Sequence, residues 1–368
     1  MIITIIGFIA ILAFLVLVHE AGHFFAARRF GIGVEEFGLG FPPKLWSFRR
    51  GKTVYSINAI PLGGFVKIKG EDAESVDDPD SFGAKPVWQR AIVICAGVTM
   101  NIVAGWALLT VLFMAGAPVE RDGSIEQRYF HNPSLAVTEV IAGSPAESAG
   151  ILPGDTILSA DGVLFTDIAP FQKYVDEKAG TAISIQYRRG KEEMETSVAG
   201  AVMTEVDGER SIIGVGLAEV GVVRMPPHKA ALAGTIATGN YLDRIVRAFG
   251  GIIAGLFRGD GAGDSLGGPV AIAIATGDAL DLGWAETIIF TAILSFNLAI
   301  INILPFPALD GGRLIFLGLE AVRRKPSRAE VEAWFHRAGF ALLMLLAVVI
   351  TYHDLARFGG RIWRAVLG

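Results

Sequence analysis

The chain divides into long uncharged runs and polar stretches. Residues 2–18 carry no charged side chain, and neither do 91–118, 287–305 or 338–352. A helix needs about 20 apolar residues to cross the hydrocarbon core. The four runs therefore predict four transmembrane helices, the last reaching that length only if 334–340 extends it. Between the second and third runs the pattern changes. Residues 134–200 alternate apolar and polar positions in short runs separated by turn residues, which predicts strands. A helix is expected near 169–178 and a strand pair over 181–198, turning at Arg189-Gly190. Residues 200–230 extend this insert, with a turn at Gly208-Glu209. Over 229–257 apolar residues recur at helical spacing with few charges, as in an amphipathic helix lying on the outer membrane surface. Residues 260–268 read as an acidic, Gly-rich loop. Between the first and second runs, the alternation over 54–68 around Gly63-Gly64 predicts strands.

Composition sharpens this reading. Of 368 residues, 52% are hydrophobic and only 19% charged, against about 25% charge in soluble domains. The net charge of −5 gives no basic footprint for nucleic acid. Cys95 is the single cysteine, which excludes an internal disulfide, a CxxC redox pair and a cysteine-based zinc site. The first run has no Lys or Arg ahead of it and no small-x-small cleavage site, so it reads as an uncleaved helix rather than a signal peptide. Basic residues set the orientation. Arg28, Arg29, Lys44, Arg49 and Arg50 follow the first run, and Arg323, Arg324, Lys325 and Arg328 lie between the third and fourth, so both segments read as cytoplasmic. The more acidic 119–230 reads as outside, together with the N-terminus; Arg357, Arg361 and Arg364 run against this assignment. The expected fold class is a polytopic α-helical membrane protein with an inserted extracytoplasmic α+β domain. Its parts are 1–118 (spans 1 and 2), 119–228 (the insert, with a domain at about 134–200), 229–268 (surface helix and loop) and 269–368 (spans 3 and 4).

The chemistry sits at the end of the first run, in His19-Glu20-Ala21-Gly22-His23. Spacing i, i+4 stacks two imidazoles on one helix face, which suits two ligands of one tetrahedral zinc, with Glu20 placed as a general base toward water. Ionisable groups beside lipid are costly unless paired or ligated. A third ligand is needed. His131, His228, His336 and His353 lie away from any such motif, so Asp310 in Leu309-Asp310-Gly311-Gly312 is the better candidate, with a helix cap or turn as the rival role. It follows Pro305 and Pro307, which break a helix; broken backbone in a membrane is tolerated where it lines a cavity.

Two resemblances follow from these motifs. GSPAESAGILPGDTILSADG is similar to the core and peptide-binding loop of bacterial PDZ domains, implying an edge that takes a peptide or protein C-terminus as an added strand; a spacer that binds nothing is the alternative. HEAGH on the first span, NILPFPALDGG on the third and the PDZ-like insert between spans together resemble the bacterial site-2 protease family. The resemblance implies a zinc intramembrane metalloprotease of the bacterial inner membrane. His19, His23 and Asp310 would bind Zn2+, Glu20 would be the catalytic base, and the site would lie within the bilayer near its cytoplasmic side. It implies that single-pass membrane proteins are cut within their transmembrane segments, as with anti-sigma factors already trimmed outside, or remnant signal peptides. It further implies a β-hairpin-like element over the cytosolic-side segments 37–41 and 55–67, with Gly63 and Gly64 near the substrate. Asn297 and Asn302 match substrate-binding asparagines, helix–helix hydrogen bonding being their alternative, and Asn101 matches a further family position. The chain departs from many relatives at Gly97-Val98, where they have Gly-Pro, and at Phe41-Pro42-Pro43, and it shows one PDZ-like domain rather than two. Two rival functions are a metal transporter lined by the same residues and a membrane-anchored PDZ adaptor with a dead zinc site.

Overall fold

The computed structural model describes residues 2–71, 78–121, 129–190, 192–202, 211–258, 267–325 and 328–367. The expected turn at 208–209 and most of the 260–268 loop lie outside these residues. The chain forms two compact units, one of Met1–Leu109 with Ala237–Gly368 and one of Thr110–Ile236.

The first unit opens with α1 (Ile2–Arg29), β1 (Val34–Arg50), β2 (Thr53–Ile68) and α2 (Val87–Ala115). α1 is apolar on every face, and only Leu15, His19, Gly22, Phe24 and Ala27 are buried by protein, the pattern of a helix solvated by lipid. It crosses α2 through glycines: a Cβ on Gly22 would lie 2.3 Å from the Ala96 carbonyl oxygen. Phe24, Ala27, Ile32, Val34, Ile68, Val93, Ile94 and Leu317 form the buried cluster beneath this crossing.

The strands are more than the expected hairpin. Residues 34–39 of β1 pair with 64–68 of β2 on one side, from Val34↔Ile68 to Leu39↔Gly64, and with 54–57 on the other, from Glu36↔Val54 to Leu39↔Ile57. Residues 44–50 pair with 53–58. The four runs therefore lie in the order 64–68, 34–39, 54–57, 44–50. In the central seam the paired numbers rise together, so this seam is parallel while the outer two are antiparallel. Gly38 sits between two runs, where a Cβ would meet the Phe65 ring at 2.5 Å and Ser56 Oγ at 3.0 Å.

The second unit holds β3 (Ala117–Glu120), β4 (Phe130–Val140), α3 (Pro145–Ser148), β5 (Thr156–Ala160), β6 (Val163–Leu164), α4 (Ile168–Glu177), β7 (Ala182–Arg189), β8 (Glu192–Ala199), β9 (Ala201–Val202), β10 (Ser211–Ile212) and β11 (Val215–Val223). One sheet runs β3-β11-β4-β5-β7-β8, with β6 on β5. Its core is Leu135, Ile157, Ile183 and Ile185 packed on Phe171 and Val175 of α4. This sheet reaches from 117 to 223, close to the bounds of the 119–228 insert, because the returning β11 inserts between β3 and β4. Its run 213–223 contains Gly214, Gly216 and Gly221, which dilute the alternation that marks a strand. Asp155, fully buried, accepts from Arg189 Nε at 2.8 Å, Arg189 Nη2 at 2.7 Å and the Leu152 amide at 2.8 Å.

α5 (Pro227–Arg258) leads back into the first unit, followed by α6 (Pro269–Leu282), α7 (Trp284–Ile303), α8 (Asp310–Arg323) and α9 (Ala329–Leu367). α1, α2, α7 and residues 330–359 of α9 are long and apolar enough to cross a membrane. The fourth run thus extends well past 338–352 at both ends. α6 had no counterpart among the sequence expectations. At 14 residues it spans about 21 Å, too short to cross, and it packs on α1, where a Cβ on Gly277 would touch Thr4 at 2.8 Å. Its N-terminus is capped from α9, the Ala271 amide donating to Asp354 Oδ2 at 3.0 Å.

Candidate metal centre

α1 holds His19 and His23 one turn apart, with ring centroids 4.8 Å apart and planes at 81°. α7 ends at Ile303, Pro305 and Pro307 deny the helix its amides, and the chain restarts as α8 at Asp310. The turn between them is tight: a Cβ on Gly311 would lie 2.1 Å from the Leu304 carbonyl oxygen. This break aims the Asp310 carboxylate at α1. His19 Nε2 lies 3.2 Å from Asp310 Oδ2, His23 Nε2 3.4 Å from the same oxygen, and the two nitrogens 3.1 Å from each other. Tetrahedral zinc with bonds near 2.0–2.1 Å has ligand atoms about 3.3 Å apart, so the three edges fit one face of such a tetrahedron. Asp310 Oδ2 is buried without a hydrogen-bond donor, which a bound cation would satisfy. Among the described residues this is the group of His, Cys, Asp and Glu donors able to hold a metal.

The rings are fixed from behind. His23 Nδ1 donates to the Val93 carbonyl at 2.8 Å, leaving Nε2 unprotonated toward the centre. His19 Nδ1 lies 3.2 Å from the Asn101 side-chain amide, whose Oδ1 is buried without a partner. Exchanging the amide's N and O, which share one shape, gives the His19 N–H an acceptor and frees its Nε2 too. Such outer partners orient ligating histidines. Gly97 makes room for the pair, since a Cβ there would stand 2.3 Å from His23 Nε2 and 2.8 Å from His19 Cε1.

Glu20 lines the same cavity of about 200 Å3 with His19, His23, Asp310, Val66 and Arg313, and the Val66 backbone lies beside its carboxylate. Arg313 is ion-paired with Glu71, which also lines the cavity. Gly64 backs onto this wall: a Cβ there would be 3.8 Å from Glu20 Cγ and 3.0 Å from the Gly38 carbonyl. Gly63 has φ +128° and its Cβ would touch Phe41 at 3.0 Å, so local conformation alone demands glycine. The asparagines are not gathered at the cavity wall. Asn297 Nδ2 donates to its own helix at the Ile293 carbonyl, 3.0 Å away, and Asn302 is half-buried near the end of α7.

Two supporting residues escaped sequence reasoning in whole or part. Asn101 was visible only as a family match, with no hint of its contact to His19. His336, set aside as a ligand, accepts the Ala308 amide on Nδ1 at 3.0 Å. Ala308 has φ +71°, a left-handed conformation that costs a non-glycine residue, and this bond from α9 pins it two residues before Asp310. No local pattern links positions 308 and 336.

The sequence model of peptidase family M50 matches residues 7–346. Zinc metalloprotease RasP of Shouchella clausii is 30% identical, the match covering 96% of this chain and 99% of that protein. Zinc metalloprotease RasP of Geobacillus kaustophilus is likewise 30% identical, over 96% and 98%. Among solved structures, the PDZ domain of an SdrC-like protein from Listeria monocytogenes aligns with 23% of this chain and 85% of its own at 25% identity and a TM-score of 0.21. With the family match running through both halves of the centre and the relatives matched almost end to end, the chain belongs to peptidase family M50.

Proposed function

We propose that the protein is a zinc-dependent intramembrane endopeptidase that cuts transmembrane segments of single-pass membrane proteins. The observation that carries this reading is the triangle of His19, His23 and Asp310 atoms beside Glu20, on elements flanked by lipid-length apolar helices. His19, His23 and Asp310 hold the metal. Zinc, when bound, polarises the scissile carbonyl and lowers the pKa of water beside it. Glu20 takes a proton from the attacking water and returns it to the leaving nitrogen. A helix hides its carbonyls in its own hydrogen bonds, so the substrate unwinds first. The run 64–68 supports the next step: it pairs with 34–39 on one side only among the described residues, and its other edge, at Gly64 and Val66, faces Glu20. An extended substrate adds there as a strand, with Gly63 and Gly64 as its contacts at the wall; Asn297 and Asn302, away from the wall, would meet it only farther along its length.

The Thr110–Ile236 unit serves as a PDZ-like module on the outside. Among the described residues β3 pairs only with 220–223 of β11, so 215–218 keep one edge for a peptide terminus. Selecting ends already trimmed by a first extracytoplasmic cut fits anti-sigma-factor-like substrates or remnant signal peptides. The N-terminus lies outside, and the basic segments face the cytoplasm.

The test is a transmembrane reporter cleaved by full-length protein in proteoliposomes. Glu20→Gln lowers cleavage by about 10²–10⁴-fold with bound zinc unchanged, whereas Asp310→Ala lowers the zinc itself. Wild-type turnover by Glu20→Gln removes the base; unchanged stoichiometry in Asp310→Ala removes the third ligand.

A further inference from the structure

A second cavity, of about 510 Å3, opens between the last turns of α1 and the strands, separate from the metal centre's lining. Phe24, Phe25, Phe37 and Tyr55 line it, and Arg28 and Arg50 share it. Its floor is a connected aromatic cluster: Phe24 meets Phe37 at 5.3 Å and Tyr55 at 6.1 Å, and Phe48 stacks on Tyr55 at 5.1 Å. At about 30 Å3 per water-sized group, it has room for about seventeen such groups. Neither guanidinium has a carboxylate partner among the described residues. Arg28 lies over the Phe24 ring at 5.5 Å, whereas nearby Lys44, Lys52, Lys67 and Lys69 all form ion pairs with Asp or Glu. Two unpaired cations at an apolar cavity call for a ligand with an anionic head and an apolar body.

The position in the fold supplies the source. Arg28 is in the last turn of the first apolar span, and the surrounding surface exposes Phe25 (64%), Trp46 (57%) and Trp88 (57%). Exposed tryptophans among arginines mark headgroup depth in a bilayer. We propose that this cavity binds one anionic phospholipid, its phosphate between Arg28 and Arg50 and its upper acyl chain on the Phe24, Phe37 and Tyr55 rings. Arginine suits this task because its planar donors match phosphate oxygens, and basic recesses at span ends recognise acidic headgroups.

The experiment uses the full chain in neutral detergent mixed with phosphatidylcholine containing a minor fraction of phosphatidylglycerol, with retained lipid counted by native mass spectrometry. The wild type retains phosphatidylglycerol over phosphatidylcholine. Arg28→Gln and Arg50→Gln each weaken retention about fivefold, equivalent to about 1 kcal/mol per basic contact, and unchanged zinc content reports an intact fold. Arg49→Gln with Lys85→Gln, basic residues outside the cavity, changes retention by less than about twofold, and millimolar inorganic phosphate does not compete. Equal retention of the two lipids, equal loss in the control pair, or displacement by phosphate alone would each overturn the proposal, the last pointing to a free-anion site.

Discussion

Gly97→Ala tests how closely the metal centre depends on the approach of two helices. The added methyl would stand 2.3 Å from His23 Nε2 and 2.6 Å from its Cε1, where ordinary contact is 3.4–4 Å. At least about 1 Å must therefore be found. The helices cannot easily supply it, because Gly22 already brings α1 to the Ala96 carbonyl and separating them opens the cluster of Phe24, Ala27, Val93 and Ile94. The His23 ring must move instead, against its 2.8 Å bond to the Val93 carbonyl. Overpacking of this kind costs about 1–3 kcal/mol, and a 1 Å displacement in a catalytic constellation costs about 10²-fold in rate. Gly105→Ala is the control: its methyl meets the Phe296 ring at an equal 2.3 Å but touches no ligand. Metal analysis and reporter cleavage should show Gly97→Ala losing both zinc and turnover, while Gly105→Ala loses stability with zinc retained. Full zinc and wild-type turnover in Gly97→Ala, or equal zinc loss in both variants, would refute the reasoning.

Two further outcomes are expected. Asn101→Leu removes the partner of His19 Nδ1 and should weaken zinc about 10–100-fold in a chelator competition while leaving the reporter's binding unaltered. In the insert, the Ser184 amide, the Tyr174 hydroxyl and the Lys178 ammonium hold the Asp161 carboxyl below its ordinary value. A depressed carboxyl stabilises the fold above its unfolded pKa of about 3.9 and loses that contribution as pH falls through the folded value. Hydrogen exchange across residues 110–236 should therefore show Asp161→Asn less protected than wild type at pH 6, the gap closing in acid; a gap independent of pH contradicts the ionic role.

The spans and the HEAGH motif were legible because their information is local: a run of twenty apolar residues or an i, i+4 spacing needs no tertiary partner. Asp310 was legible in part, since Pro305 and Pro307 announce a break but not its aim. The rest depends on partners far away in sequence. α6 is too short and carries Asp278 and Asp281, so it resembles neither a span nor an amphipathic surface helix until Asp354 caps it. The parallel seam between 36–39 and 54–57 cannot be anticipated from alternation, which fixes faces but not neighbours. β11 escaped because glycines thin its pattern, and His336 because its role is to hold another residue's backbone.

The two corners of the metal triangle supplied by His19 and His23 belong to the first helix, whereas the third, Asp310, follows the whole inserted unit. At about 5–20 residues per second of synthesis, the aspartate leaves the ribosome roughly 15–60 s after the histidines. During that interval His19, Glu20 and His23 stand on the first helix with the ligand set incomplete. Splitting the centre across the chain thus works as a timer: the metal triangle can close only after residues 110–236 have been synthesised.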